Sequence, residues 1–238
     1  MKKSICILAC AFAAMQAFAQ ADWTRARQEI HDNILLSGSN LTAYVDPAPD
    51  YRLTPAPKGY EPFYMSHYGR HGSRWLTGES QYTDVLIPLR KAHAQGKLTP
   101  IGEQLLADVE DFFLGCDQRY GDLTTVGERQ HHRIGRRMTE NFPEIFGAKN
   151  AEVDARSTVV IRCILSMVAE CEELTAFNPR MKMHNDVSES LQWYMNSRGS
   201  KAVRDAVNKR GDVVDRYRRK WLHPKRFCRQ LFNDEAYI

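Results

Sequence analysis

The chain has 238 residues, 43% hydrophobic and 26% charged, with a formal net charge of +4. That length suits one domain, or a core with a smaller cap, and excludes an array of several full domains. The six cysteines form no Cys-x-x-C pair, which excludes the usual zinc and dithiol-redox frameworks.

The first residues, Met1-Lys2-Lys3, precede an apolar run from Ile5 to Ala14 and then Ala17-Phe18-Ala19. A basic start, a short apolar stretch and a small-x-small site predict a cleavable signal peptide over 1–19, cut after Ala19. The run is too short to span a bilayer, so no stable membrane insertion is expected. A lipoprotein reading through Cys10 is disfavoured by the large Leu8. The expected location is therefore periplasmic or secreted. Removal of Lys2 and Lys3 leaves a mature charge of +2 and four cysteines, Cys116, Cys163, Cys171 and Cys228. Export permits disulfides, but nothing in the spacing indicates a pairing, and buried free thiols are expected.

From Asp22 to Leu36 the spacing of Trp23, Ala26, Ile30 and Ile34 predicts an amphipathic helix. Its His31-Asp32 pair reads as helix surface. Gly38 to Gly59 carries Pro47, Pro49, Pro55 and Pro57 and reads as a long irregular segment. Pro62, Phe63, Tyr64 and Met65 predict a short buried strand. It runs into Ser66-His67-Tyr68-Gly69-Arg70-His71-Gly72-Ser73-Arg74. Gly69 and Gly72 disfavour a helix and would let backbone approach a ligand. Two guanidiniums flank one imidazole on this loop. Arg offers a planar fork of donors that matches phosphate oxygens and keeps its charge. A neutral imidazole is nucleophilic near neutral pH, and a covalent phosphohistidine divides one hard displacement into two easier ones.

Beyond the loop, Trp75 to Gly115 reads as mostly helical, with Ile87, Leu89 and Ala92 in one apolar segment and Leu105, Leu106, Val109, Phe112 and Phe113 in another. Gly96 to Pro100 separates them, and Gly115 ends the second. Leu123-Thr124-Thr125-Val126-Gly127-Glu128 opens a further helix, with Thr124 or Thr125 as N-cap and Glu128 near N3. His131 and His132 are adjacent and should face apart, against a shared metal. Ala151 to Ala155 predicts a strand, followed by Arg156-Ser157-Thr158 and a helix from Val159. A strand, an arginine and a helix N-terminus make good anion geometry. Arg162 is expected to pair with neighbouring carboxylates. Met181 to His184 predicts another strand. Residues 198–230 hold twelve Lys or Arg and three Asp, a local balance of +9. The apolar positions Val203, Val207, Val213, Val214, Tyr217, Trp221 and Leu222 predict packed helices there, rather than a nucleic-acid surface.

Arg70-His71-Gly72-Ser73-Arg74 resembles the Arg-His-Gly-x-Arg signature of the histidine acid phosphatases, in the branch with phytases and multiple inositol-polyphosphate phosphatases. The Leu-Thr-x-x-Gly segment at 123–127, followed by Gln130, His131 and Gly135, is similar to that family too. The family's proline two residues after the second Arg is Leu76 here. The resemblance implies His71 as nucleophile and Arg70, Arg74 and Arg156 as phosphate-binding residues, with no cofactor and no metal. It implies an α/β fold: a phosphoglycerate-mutase-like sandwich, with a central mostly parallel sheet, helices on both faces and a helical cap. The core would occupy 20–183 and the cap would begin at 184 and run through 238. The expected partner is a small phosphomonoester, inositol polyphosphate above all, attracted by the positive cap.

One element of the pattern is missing. The family supplies a late His-Asp or His-Ala-Glu whose acid protonates the leaving oxygen. Downstream of Arg156 stand only His184 and His223. The former is too early and the latter has no acidic neighbour, so no general acid is assigned. The resemblance corresponds to about the first half of a family member, and the chain reads as truncated, with impaired turnover expected. A non-catalytic polyanion-binding fragment and a shorter phosphoglycerate-mutase-like phosphatase are the alternatives. A zinc site from His67 and His71 would need a helix that Gly69 and Gly72 oppose.

Overall fold

The computed structural model describes residues 23–48, 50–196 and 200–238. The expected signal peptide lies outside the described residues. The chain divides at Pro47 into two units. In the first, helix α1 (Trp23–Asp32) leads into a 3-10 helix (Ile34–Leu41), shorter than the single helix expected to Leu36. His31 sits on its exposed surface, 3.3 Å from Asp32.

The second unit, from Ala48, carries the rest. Its fold is α/β. The elements are α2 (Ser80–Ala94), α3 (Pro100–Cys116), α4 (Thr125–Asn141), the short α5 (Pro143–Phe146), β1 (Glu152–Ser157), α6 (Ile161–Phe177), β2 (Lys182–Val187), a 3-10 turn (Trp193–Asn196), α7 (Lys201–Asn208), α8 (Gly211–Trp221), α9 (Pro224–Leu231) and a terminal 3-10 turn (Glu235–Tyr237). β1 and β2 pair in parallel, with Glu152 opposite Lys182 and Ser157 opposite Val187. α6 is the crossover between them, as a parallel pair requires. β2 runs through His184 to Val187, across the boundary where a helical cap was expected to begin.

Two apolar clusters hold this unit. Leu86, Leu89, Ala92, Leu98 and Leu106 join α2 to α3, with Phe232 and Tyr237 packed against them. α2 therefore buries Leu86 where the sequence suggested Ile87, which faces out. The carboxyl end of the chain docks here. Thr99 N donates to Leu231 O, Asn233 N donates to Lys97 O, and Lys97 pairs with Asp234 at 2.8 Å. The second cluster, Phe146, Ala151, Leu174 and Met181, is joined by Met65 and Met138. It seats α6 and both strands against α4 and α5.

Four expectations fail for identifiable reasons. The segment 62–65 is not a strand: it forms no ladder among the described residues, and Phe63 is 90% exposed. The apolar run suggested a strand, but it pairs with neither β1 nor β2. α3 ends at Asp117 in the left-handed region rather than at Gly115. The helix after β1 begins at Ile161, not Val159, and Val160 caps it without a side-chain bond. Finally, α7 and α8 bury none of their apolar face: Val203, Val207, Val213, Val214, Tyr217 and Trp221 are all about half exposed or more. Cys116, Cys163, Cys171 and Cys228 are free thiols, as expected, but only Cys116 and Cys171 are buried.

Candidate active site

The loop from Ser66 to Arg74 has little regular structure, yet its backbone is held at Arg70, Gly72, Ser73 and Arg74 by α4, the residues leading into it, and α6. Thr124 caps α4 by accepting from Gly127 N at 3.2 Å, and its hydroxyl also donates to Ser73 O at 2.9 Å. Ser73 N donates to Gln130 Oε1 at 2.8 Å. Gly72 N donates to the buried Ser166 Oγ of α6 at 3.0 Å. His131 Nε2 reaches Arg70 O at 3.1 Å, and its Nδ1 reaches Glu170 Oε2 at 3.0 Å. Arg74 and Leu123 form an isolated antiparallel bridge. The Leu-Thr-x-x-Gly-x-x-Gln-His sequence is thus a clamp: Thr124, Gln130 and His131 bond the loop through side chains, Leu123 bridges it through backbone, and Gly127 lets Ser73 close in.

The clamp is tight enough to exclude side chains. A Cβ on Gly72 would stand 2.3 Å from Gly127 O, and one on Gly127 would stand 2.3 Å from Ser73 O. Gly72 was expected to admit a ligand; what it admits is the first turn of α4. Both positions need glycine because backbone meets backbone there.

His71 is half-buried. Its Nδ1 lies 2.7 Å from Gly72 O. A carbonyl can only accept, so Nδ1 carries the proton and Nε2 of the neutral ring keeps its lone pair. Burial lowers the His71 pKa from its ordinary 6.5; the Gly72 hydrogen bond opposes this, and the charges of Arg162, Arg74 and Arg70 lower it further. The ring is kept neutral, the form a nucleophile needs.

The cleft beside this ring has a volume of about 850 Å³ and is lined by Arg70, His71, Arg156, Arg162, His67 and Glu170 among others. Arg156 shares it with His71, but the Arg156 side chain is engaged elsewhere. It hydrogen-bonds Tyr194, which raises its pKa with help from Asp154, 3.9 Å away. Arg74 donates Nη1 to Trp75 O at 2.8 Å. Its charge reaches His71, but its guanidinium is not part of the cleft wall.

Arg162 is the residue the sequence reading passed over. Instead of the expected carboxylate pairing, Nη1 donates to Gly121 O at 3.2 Å, and Nε is buried without a partner. Thr158 Oγ1, on the same wall, is also buried and unpartnered. Orphaned donors of this kind are rare in folded proteins. Helical spacing carried a signal: Arg162 lies in the first turn of α6, where side chains and free N–H groups meet an anion together. Among the described residues no cluster of three His, Cys, Asp or Glu is placed to hold a metal. No helix there is long and apolar enough to cross a membrane.

No family model and no curated protein matches the chain. Among solved structures it is similar to the multiple inositol polyphosphate phosphatase of Bifidobacterium longum. The identity is 23%, with TM-scores of 0.47 for the apo form, 0.46 for the phosphate complex and 0.45 for the inositol hexasulfate complex. The alignments cover 58% of this chain and 29% of the neighbours. They are proteins of the group whose motif the sequence resembles. The chain spans under a third of their length.

Proposed function

We propose that this chain is a phosphomonoester hydrolase acting through a phosphohistidine on His71. The observation that carries the reading is the Nδ1 hydrogen bond to Gly72 O at 2.7 Å, which leaves Nε2 unprotonated in a ring lowered in pKa by burial and arginines. Nε2 attacks phosphorus, the ester oxygen departs, and water then cleaves the N–P bond. Arg70 and Arg162 hold the equatorial oxygens, where negative charge is concentrated in transfer. Arg74 contributes its charge to the ring without lining the cleft. Arg156, tied to Tyr194, meets a second anionic group of a larger substrate. That arrangement favours a small polyanion such as an inositol polyphosphate. The leader read over residues 1–19 puts the reaction in the periplasm or outside the cell.

Rapid-quench trapping with a labelled phosphomonoester tests this. An acid-labile phosphoryl group should appear on His71 and be absent from His71→Ala. A chain that binds phosphate but never traps label is a polyanion binder instead.

A further inference from the structure

His71 Nδ1 donates to Gly72 O at 2.7 Å. The amide N–H of the same peptide unit, that of Ser73, donates to Gln130 Oε1 at 2.8 Å. A peptide group is planar and trans, so its C=O and N–H point in opposite directions. One side of this unit faces the ring and the other faces Gln130. Gln130 sits in α4 and is 3% exposed. Its oxygen is an acceptor brought in from an element outside the loop.

This unit is the weak point of the loop. Turning it over changes mainly ψ of Gly72 and φ of Ser73, and glycine resists such a change least of all residues. The neighbouring units are held by other groups. Gly72 N donates to Ser166 Oγ at 3.0 Å, and Ser166 Oγ donates to Arg162 O at 2.7 Å. Ser73 O accepts from Thr124 N and from Thr124 Oγ1, each at 2.9 Å. Arg70 O faces His131, whose partner Glu170 also stands 3.6 Å from His67. None of these bonds acts on the Ser73 N–H. A unit turned over would present that N–H to the ring. Nδ1 would then have to accept, and the proton would reside on Nε2, the nitrogen that must attack phosphorus.

We infer that Gln130 is a positioning residue that fixes the tautomer of His71 through this one peptide unit; its bearing on catalysis rests on the reading of His71 as the nucleophile. Gln130 Oε1 holds the Ser73 N–H on the α4 side, which keeps the Gly72 carbonyl on the ring side. The two bonds also strengthen each other, since donation by the N–H polarises its own carbonyl into a better acceptor.

The test reads the tautomer directly. Long-range proton–nitrogen correlation spectra of the full chain are recorded at a pH above the His71 titration, and the ring is assigned by its loss in His71→Ala. In the parent, Nδ1 should give the shift of a protonated nitrogen and Nε2 that of a bare one. Gln130→Met keeps the shape and removes the acceptor, and Gln130→Asn withdraws the amide by one methylene. Each should lower the ratio of Nδ1–H to Nε2–H by about 2- to 12-fold, the worth of one net hydrogen bond. Gln130→Glu, whose carboxylate can only accept, should keep the parent shifts. The folded molecules give their own signals, so partial unfolding leaves the ratio intact, and Gln130→Asn decides if Gln130→Met does not fold. Rapid quench should show phosphorylation of His71 by p-nitrophenyl phosphate slowing in step with the Nδ1–H fraction, with little change in the half-saturating ester concentration. Parent-like shifts in the Met and Asn variants overturn the inference, as does a parent whose Nε2 is the protonated nitrogen. So does a Glu variant that behaves like the Met variant. A parent and variants with the expected shifts, but with no label on His71, support the inference and defeat the hydrolase reading.

Discussion

At the residue scale, the site turns on one hydrogen bond and one orphaned donor. The Gly72 carbonyl fixes the His71 tautomer, and the depressed pKa keeps the ring neutral into mild acid. An NMR titration of His71 should therefore place its midpoint below 6.5, and a midpoint above 6.5 would refute the burial argument. Linkage gives the sign for stability. The folded pKa lies below the unfolded one, so this ring costs nothing above the unfolded value. The cost grows as pH falls through 6.5 toward the folded value. His71→Asn should thus lose less stability than the parent on acidification, as read by thermal melts at pH 7 and pH 5. Arg162 has a buried Nε without a partner. Arg162→Ala should lower kcat/KM by about 10²–10³-fold, the range for removing one preorganised donor. Arg162→Lys should recover little of this, because a point charge does not reproduce the guanidinium fork. Arg156→Ala should matter less for a simple monoester than for a polyphosphate, given its engagement with Tyr194.

At the element scale, the first turn of α4 is the part on which the loop is built. Gly127 has Ser73 O where a methyl would go, at 2.3 Å. Gly127→Ala should destabilise the chain by about 1–3 kcal/mol, as overpacking does, and reduce activity further by displacing Ser73. Thr124→Val removes the cap and the bond to Ser73 O together, at a cost of about 1–2 kcal/mol. Its effect on phosphate binding should exceed that of Leu106→Ala, which cuts into the α2–α3 cluster. The latter should cost about 2–5 kcal/mol and spare the site in the molecules that remain folded. Equilibrium unfolding combined with phosphate titration separates the two. The loss of the 62–65 strand belongs at this scale as well. A short apolar run specifies a strand only where it docks on a partner strand, and the described sheet holds β1 and β2 alone.

At the scale of the whole molecule, charge is unevenly spread. The net is +4, while residues 198–230 alone balance at +9. A field of that size draws polyanions and is screened within about 8 Å at physiological ionic strength. Raising salt from 0.05 to 0.5 M should therefore weaken the interaction with an inositol polyphosphate more than that with a monophosphate, and equal salt slopes would count against a role for this region in capture. The exposed apolar face of α7 and α8 sits among these charges, so the helices are amphipathic without a covered side among the described residues.

The sequence by itself pointed to the candidate anion loop and to the local elements. Arg70, His71 and Arg74 announce an anion site because few other uses exist for two guanidiniums about one imidazole. The cap at Thr124 or Thr125, the break at 96–100, and strands expected at 151–155 and 181–184 and found at 152–157 and 182–187 follow from short-range rules that residues obey wherever they stand. Only the tertiary structure decided which third arginine bears on His71, that Gly72 serves a helix rather than a ligand, and that Glu170 links two histidines. By type and position the sequence favoured Arg156 and set Arg162 among carboxylates. The choice between them depends on where β1 ends, how α6 tilts from it, and which partners reach each guanidinium first, and those are long-range contacts that no local pattern encodes.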